Sequence, residues 1–205
     1  MYTKVLKEGR GEIVEKKSRF IGYMFEAENE EQVREHLAQE KKKYPDARHY
    51  CYAYIFGKNG LNVRAADDGE PQGTAGKPIL EVLKGAKATD TCIIVTRIFG
   101  GVLLGTGGLT RAYADAAKAA LNAGDLKEHT EGKRIKVTVS YGLSEKVKYY
   151  LTESDIYIED TGYAENVDYT LLISADLIDS VLENIKNLTA SEAVIEDLGV
   201  TDVPV

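Results

Sequence analysis

The chain has 205 residues, of which 43% are hydrophobic and 29% are charged, with a formal net charge of −7. These values indicate an ordinary soluble globular protein of one large or two small domains. No apolar run approaches the roughly 20 residues of a membrane helix, and the N-terminus lacks the apolar core of a signal peptide. We therefore expect a cytoplasmic protein without a membrane partner, whose cysteines, Cys51 and Cys92, are reduced core residues.

The charge is unevenly distributed along the chain. Residues 1–128 carry 20 Lys and Arg against 18 Asp and Glu, a balance of +2, whereas residues 129–205 carry 6 against 15, a balance of −9. Such a split is expected for two domains with different partners, and it assigns any contact with nucleic acid to the first part.

The first third of the chain reads as strands and one helix. Alternating patterns over residues 12–16 and 20–26 predict a hairpin or a bent strand. Asn29 is typical of a helix N-cap, and the helix should run to about Tyr44, before Pro45.

Strict alternation over residues 49–56 predicts another strand, followed by a turn at residues 57–60 and a returning strand at 61–65. The aromatic row of the first of these strands favours a core face that covers a helix. The alternative is a surface on which nucleic-acid bases stack.

An acidic loop follows at residues 67–78, and Pro78 suits the first turn of the next helix. Asp67, Asp68 and Glu70 are candidate ligands for Mg²⁺ or Ca²⁺, although their spacing is not that of an EF-hand. The alternatives are that they cap helices or pair with Arg97 and Arg111.

A glycine-rich stretch between a buried strand at residues 91–98 and an alanine-rich helix is the most distinctive feature of the chain. Unpaired N–H groups at a helix start, glycines and flanking arginines together predict an anion site or a nucleic-acid surface. The alternative is that the glycines only allow a tight turn to pack against a sheet. The residues expected at this surface are Arg64, Lys77, Arg97, Gly100, Gly101, Gly105, Gly107, Gly108 and Arg111.

The remainder of the chain predicts a second domain. Residues 127–133 are polar and are interpreted as a linker. The pattern over residues 134–200 is strand, helix, strand, strand, helix, strand, which is the ferredoxin-like arrangement.

The sequence provides no evident catalytic apparatus. His36 and His129 are expected at the surface, and His49 lacks the spaced partners of a zinc site. There is no G-x-S-x-G elbow, no Walker ending and no dinucleotide fingerprint. We therefore predict no catalytic residue and no cofactor, and we favour binding over catalysis.

Two motifs then identify a family. DDGEPQGTAGKP at residues 67–78 and TRIFGGVLLGTGGLTRAY at residues 96–113 resemble the IMPACT (YigZ-like) family, with Ile98 where an aromatic residue is usual. The resemblance implies an α+β protein: a ribosomal protein S5 domain 2-like domain over residues 1–128, then a ferredoxin-like domain over residues 133–205, similar to a domain of elongation factor G. Eukaryotic relatives regulate translation through a further domain that is absent here, so their partner is not transferred.

These observations lead to one hypothesis and two alternatives. The hypothesis is a non-enzymatic regulator of translation that binds RNA or the ribosome through the surface that contains Arg97 and Arg111. The first alternative is a metal- or phosphate-dependent hydrolase or peptidase, in which the carboxylates of the acidic loop hold a metal or act as a base. The second is an interaction module whose acidic C-terminal domain recruits a basic protein.

Overall fold

The structure, a computed structural model, describes residues 1–57 and 60–205, so the centre of the turn predicted at residues 57–60 lies outside the described residues. The chain divides into a first unit, Tyr2–Lys127, and a second unit, Glu128–Val205, to which Met1 also belongs. No helix in the described ranges is both long and apolar enough to cross a membrane.

The first unit is built on an antiparallel sheet with helices on both faces. Its strands are β1 Tyr2–Lys7, β2 Gly9–Glu15, β3 Ser18–Glu26, β4 His49–Phe56, β5 Asn62–Ala66 and β6 Thr91–Ile98. Its helices are α1 Glu30–Lys43, α2 Gly76–Gly85 and α3 Gly105–Ala123. The strand order in the sheet is β2-β3-β6-β4-β5, which places β6 at the centre, as its apolar pattern predicts.

Alternation along the central strands separates two cores. On one face Ile93 and Val95 pack with α2 and α3, and on the other Cys92 and Ile94 pack beneath α1. The aromatic row of β4 supplies much of the second core, and the rings of Tyr54 and Phe56 stack 4.0 Å apart. The interpretation of this row as a core face that covers a helix is confirmed.

The start of α1 is also as predicted. The side chain of Asn29 accepts a hydrogen bond of 3.0 Å from the backbone N–H of Gln32, which satisfies one of the unpaired donors of the first turn. Tyr44 is the C-cap, and three lysines form the last turn.

Strand β1 is an element that the sequence patterns did not predict. Thr3 holds it to the segment after α2, because its N–H donates to Lys87 O and its carbonyl accepts from Thr89 N, each at 2.9 Å. The Thr3 hydroxyl adds a bond of 2.9 Å to Ala86 O.

The second unit has the predicted ferredoxin-like architecture. Its elements are β7 Asp125–Val139, α4 Tyr141–Glu153, β8 Tyr157–Tyr163, β9 Val167–Ser174, α5 Ile178–Leu188 and β10 Val194–Pro204. The strands pair antiparallel in the order β10-β7-β9-β8, and both helices pack against one core. The fold class predicted from the sequence, α+β with a ferredoxin-like second part, is confirmed.

The linker predicted over residues 127–133 is wrong, because this segment belongs to β7. Gly132 lies opposite Ser174 on one side and Thr201 on the other, so the polar segment is hydrogen-bonded within a sheet. A Cβ at Gly132 would lie 2.2 Å from Ile173 O. This glycine therefore allows strands to approach and does not mark a flexible connection.

Candidate functional site

The acidic loop is folded around the side chain of Asp67. Its Oδ1 accepts from the N–H groups of Ala75 and Gly76 at 3.0 and 2.8 Å, and its Oδ2 accepts from that of Gly73 at 2.7 Å. Burial raises the pKa of Asp67, but the three donors outweigh it, and the pKa falls below its ordinary value. Asp67 therefore acts as an internal anchor of the loop that leads into α2.

Asp68 is also engaged with the fold. Its Oδ2 accepts the backbone N–H of Tyr50 at 2.7 Å, and its carbonyl oxygen lies 2.8 Å from His49 Nδ1. These two bonds tie the acidic loop to the start of β4.

Glu70 is buried and holds Arg97. Its Oε1 accepts from Arg97 Nη1 at 2.6 Å and from the hydroxyl of Tyr113 at 2.8 Å, and the side chains of Arg97 and Glu70 are only 7% and 4% exposed. Burial raises the pKa of Tyr113, so the phenol keeps its proton and remains a donor to the carboxylate. The thiol of Cys51 lies behind this pair, 3.3 Å from the Tyr113 oxygen.

The expectation that Arg97 reaches an external anion is therefore corrected. The side chain turns inward to Glu70, which is distant in sequence but adjacent in the fold. Of the three roles considered for Glu70, which were metal ligand, helix cap and partner of an arginine, the last matches its contacts. Within the described part of the chain, no three His, Cys, Asp or Glu side chains gather in a way that could hold a metal ion.

A cleft of about 440 Å³, which we call the Arg97 cleft, opens beside this buried pair. Its lining residues come from the start of β4, the acidic loop, the end of β6 and the segment leading into α3: Arg48, His49, Glu70, Pro71, Arg97, Phe99, Leu103, Leu104, Gly105, Thr106 and Leu109. The guanidinium carbon of Arg97 lies 5.4 Å from the ring centre of Phe99. Arg97 Nε is buried and donates to no described residue.

The glycines of the predicted surface have different environments. Gly100 is packed against the chain itself, because a Cβ there would lie 2.0 Å from the carbonyl carbon of Lys17. Its N–H donates to the hydroxyl of Ser18 at 3.1 Å. Gly101 and Gly105 have φ values of +85° and +73°, which only glycine adopts without strain.

Gly107 differs from the other glycines of the stretch. It lies in the first turn of α3, its φ is not positive, and a Cβ there would meet no atom within 4 Å. Neither packing nor backbone conformation requires a glycine at this position. Gly108, one residue further, would place a Cβ 3.1 Å from Leu104 Cβ.

The N-terminus of α3 opens onto the Arg97 cleft. Leu104 is the N-cap and its side chain cannot cap, while Gly105 and Thr106 line the cleft. The first N–H groups of a helix are unpaired, and the helix dipole is positive at this end. The arrangement suits a negatively charged group.

The basic residues predicted for one surface are divided among three places. Lys77 and Arg111 are exposed on the layer formed by α2 and α3, where Lys77, Thr110 and Lys118 line a groove of about 770 Å³. Arg64 is on the opposite side of the sheet, where it pairs with Glu30 of α1 at 3.1 Å. Arg97 lies inside, so the structure unites only part of the predicted surface.

The sequence analysis did not identify Arg48 and His49 as residues of the Arg97 cleft. Their position follows from the sheet, because His49 lies directly opposite Arg97 across the β4–β6 pair. The alternation of β4 was visible in the sequence, but the pairing of β4 with β6 was not, so no local signal pointed to these side chains.

Together, the fold and these contacts define a two-domain α+β protein with a glycine-rich, partly basic region on an S5 domain 2-like unit. The chain belongs to the IMPACT family. The model of the Impact N-terminal domain matches residues 16–121, and that of a domain of unknown function, DUF1949, matches residues 137–191.

Relatives and one solved structure agree with this assignment. The chain is 36% identical to IMPACT family member YvyE of Bacillus subtilis over 96% of its own length and 90% of that protein. It is also 36% identical to an IMPACT family member of Haemophilus influenzae, over 88% and 89%. A crystal structure described as that of a hypothetical protein covers 97% of both chains with a TM-score of 0.61 and 26% identity.

Proposed function

We propose that this protein is a non-enzymatic regulator of translation that binds RNA or the ribosome through its first unit. The observation that carries the proposal is the pair of exposed cations, Lys77 and Arg111, on the layer formed by α2 and α3. Cationic side chains and helix N-termini are the groups that contact phosphate oxygens in nucleic-acid complexes. The positive charge balance of residues 1–128 supports the same unit as the one in contact with RNA.

The carboxylates of the acidic loop support a binding role over a hydrolytic one. Asp67 accepts three backbone N–H groups, and Glu70 accepts from Arg97 and Tyr113. A hydrolase or peptidase would need these side chains for a metal or for proton transfer. Their engagement in the fold is the reason why we do not propose hydrolysis.

The test is a titration of fluorescently labelled ribosomal RNA at several salt concentrations with the wild-type chain and the Lys77→Ala/Arg111→Ala double variant. Each lost phosphate contact should lower the slope of log affinity against log salt by about 0.7 to 0.9. We therefore expect the double variant to bind about tenfold more weakly, with a shallower slope.

Arg64→Ala is the matched control, because this arginine is also exposed but lies on the other side of the sheet, where it pairs with Glu30. It should leave binding unchanged. Equal RNA affinity of the wild type and the double variant would contradict the proposed surface.

A second candidate role rests on the charge of the other part of the chain. Residues 129–205 carry a balance of −9, which favours recruitment of a basic protein. Binding of a labelled oligo-arginine peptide to the full chain tests it, with Lys136→Glu as a variant that adds negative charge on β7. Affinity that is unaffected by salt and by this variant would argue against an electrostatic contact.

A further inference from the structure

We propose that the RNA bound by this protein is single-stranded and that it lies across one end of the first sheet, with phosphates on cationic side chains and an unstacked base on Phe99. This inference rests on the proposed function and extends it to a second surface and to a class of RNA. The surface, which we call the sheet-end patch, consists of three exposed cations and three exposed apolar side chains: Lys16, Lys17, Arg48, Phe99, Val102 and Leu103.

The register of the strands brings two of the cations to the end of β6. Strands β3 and β4 both pair antiparallel with β6, so both begin where β6 ends. Lys17 precedes β3 and Arg48 precedes β4, so the two residues lie on either side of the segment that follows β6. The backbone of Lys17 also packs on this segment, because a Cβ at Gly100 would lie 2.0 Å from its carbonyl carbon.

The turn before β3 has an unusual sequence for its conformation. Glu15 pairs with Ser18, so Lys16 and Lys17 form a two-residue hairpin turn, and their φ values are +45° and +66°. Turns of this type favour Asn-Gly, because a bulky side chain is strained at positive φ. Two lysines therefore make this turn less stable than the sequence could make it, which points to a use of their charge outside the fold.

The cations of the sheet-end patch are available to an external anion. In the part of the chain that the structure describes, Lys16, Lys17 and Arg48 form no ion pair or hydrogen bond through their side chains, whereas the neighbouring Arg19 is held by Glu12 at 2.6 Å. Exposed lysines and arginines of this kind contact phosphate oxygens without regard to base sequence. The patch therefore suits the backbone of a nucleic acid.

Phe99 provides an exposed ring that the fold holds in place. The guanidinium carbon of Arg97 lies 5.4 Å from the ring centre, and Glu70 fixes that guanidinium at 2.6 Å. Phe99 is nevertheless 43% exposed, and Val102 and Leu103, which follow it, are 40% and 82% exposed. A base stacks on such a ring only when it is unstacked from its neighbours, as in a single strand. The apolar half of the patch therefore favours single-stranded RNA over a duplex.

The ring and one of the cations share a concave site. Arg48, Phe99 and Leu103 all line the Arg97 cleft of about 440 Å³. A base that stacks on Phe99 can therefore have its own phosphate on Arg48. Lys16 and Lys17 are not among the residues that line the cleft, and they are left for the adjoining phosphates of the strand.

The first experiment compares single-stranded and duplex RNA by fluorescence anisotropy with the full chain. The probes are a labelled oligouridine of about 12 nucleotides, which is within the usual range of single-strand site sizes, and a duplex of the same length. We expect the oligouridine to bind about tenfold more tightly than the duplex. Equal affinities, or tighter binding of the duplex, would overturn the inference.

The second experiment gives the turn a sequence that suits its conformation. Lys16→Asn/Lys17→Gly should raise the melting temperature, because Asn-Gly is favoured in this turn, and should weaken oligouridine binding about tenfold. The slope of log affinity against log salt should fall by about 0.7 for each lost phosphate contact. A variant that is more stable and binds oligouridine as tightly as the wild type would contradict the role of the lysines.

Ala190→Asn/Ser191→Gly is the matched control for this turn. These two residues follow α5 in the second unit and also have successive positive φ values, +49° and +64°. The control variant should leave the oligouridine affinity and the salt slope unchanged. Weakening equal to that of the lysine variant would count against the sheet-end patch.

Phe99→Ala tests the stacking contact separately from charge. It should weaken oligouridine binding by about fivefold or more, while the salt slope stays as in the wild type because no cation is lost. Phe99→Tyr keeps a ring at this position and should bind as the wild type does. An unchanged affinity of Phe99→Ala would contradict the stacking contact.

Two further comparisons separate this inference from the proposed function and from a membrane contact. Ribosomal RNA binding that depends on Lys77 and Arg111, without any preference for the single strand, would overturn this inference alone. A preference for the single strand that depends on the lysines of the turn, with ribosomal RNA binding unaffected by Lys77→Ala/Arg111→Ala, would overturn the α2–α3 surface alone. Binding to phosphatidylserine vesicles without binding to oligouridine would assign the patch to a lipid surface and overturn the inference.

Discussion

The segment from Arg97 to Arg111 has two halves, residues 97–101 and residues 105–111, which each contain glycines and one arginine. The arginine of the first half is packed into the fold, and that of the second half is exposed. In the first half, Arg97 is buried against Glu70, and Gly100 packs against Lys17. In the second half, Gly107 has open space around it, and Arg111 is exposed on α3. The first half forms internal contacts that hold the acidic loop and β3 to β6, whereas the second half leaves N–H groups and charge to solvent.

This difference shows that residue type and spacing alone do not identify an anion site. An arginine beside a glycine loop looks the same in sequence whether its partner is a phosphate or a carboxylate of the same chain. Arg97 is buried with a Glu70 carboxylate oxygen 2.6 Å away, so its partner belongs to the same chain. Arg111 is exposed and is therefore accessible to an external anion. Substitutions of the packed residues in the first half should therefore mainly change the free energy of unfolding. Substitutions in the second half should mainly change binding.

The largest effect is expected for Arg97→Ala. Removing one partner of a buried ion pair leaves the other charge desolvated, which costs about 3–5 kcal/mol of unfolding free energy. Urea unfolding followed by circular dichroism measures it. Arg111→Ala is the matched arginine in the open half, and it should stay within about 0.5 kcal/mol of wild type. Similar losses in the two variants would remove the distinction between the halves.

The second-largest loss of unfolding free energy is expected for Gly100→Ala. The added Cβ would lie 2.0 Å from the Lys17 carbonyl carbon, and backbone on both sides must shift to relieve the overlap. Overpacking of this kind costs about 1–3 kcal/mol. The same urea experiment tests it, and a variant as stable as wild type would show that β3 and the loop are not held as described.

Asp67→Asn should destabilise the chain by about 1–3 kcal/mol at neutral pH, because the amide presents a donor where a carboxylate oxygen accepts from Gly73. The native state lowers the pKa of Asp67, so the carboxylate stabilises the fold above the unfolded pKa of about 3.9. That stabilisation is lost as the pH falls through the lower native pKa.

The stability difference between wild type and Asp67→Asn should therefore be constant from pH 7 to about pH 5 and shrink on further acidification. Thermal melts at pH 7, 5, 4 and 3 measure it. A difference that grows as the pH falls would mean that the native state does not favour the charged carboxylate.

The smallest effect, and one of opposite sign, is expected for Gly107→Ala. Alanine in a helix is favoured over glycine by up to about 1 kcal/mol, and the site has room for the methyl group. A rise in the urea midpoint is the expected result. A fall would indicate that the second half of the stretch is also constrained by the fold.

Much of the fold follows from local signals in the sequence. Asn29 predicts the start of α1, and the alternating aromatic residues predict β4. Two helical patterns separated by strands predict the ferredoxin-like second part. The first two signals are local, and the third is the order of regular patterns over residues 134–200. Two failures have the same origin: β1 and residues 127–133 are polar or weakly patterned, and only their pairing with distant segments makes them strands.

The site was less predictable because it depends on pairings between segments far apart in sequence. Glu70 meets Arg97 and Tyr113, and Asp67 meets the start of α2, but several partners for each were equally acceptable in the sequence. The separation of Arg64 from Lys77 follows from which face of the sheet each helix covers. No periodicity along one strand contains that information.

The buried cysteines provide a built-in probe of how the first unit opens. Cys51 lies in the core beneath α2 and α3, and Cys92 lies in the core beneath α1. Both are free thiols and fully buried, and this burial raises the pKa of each thiol. Because alkylating reagents attack an accessible thiolate, each sulfur becomes modified only in molecules whose covering layer has separated. The relative labelling rates of the two sulfurs would reveal whether the two layers detach independently or in one cooperative event.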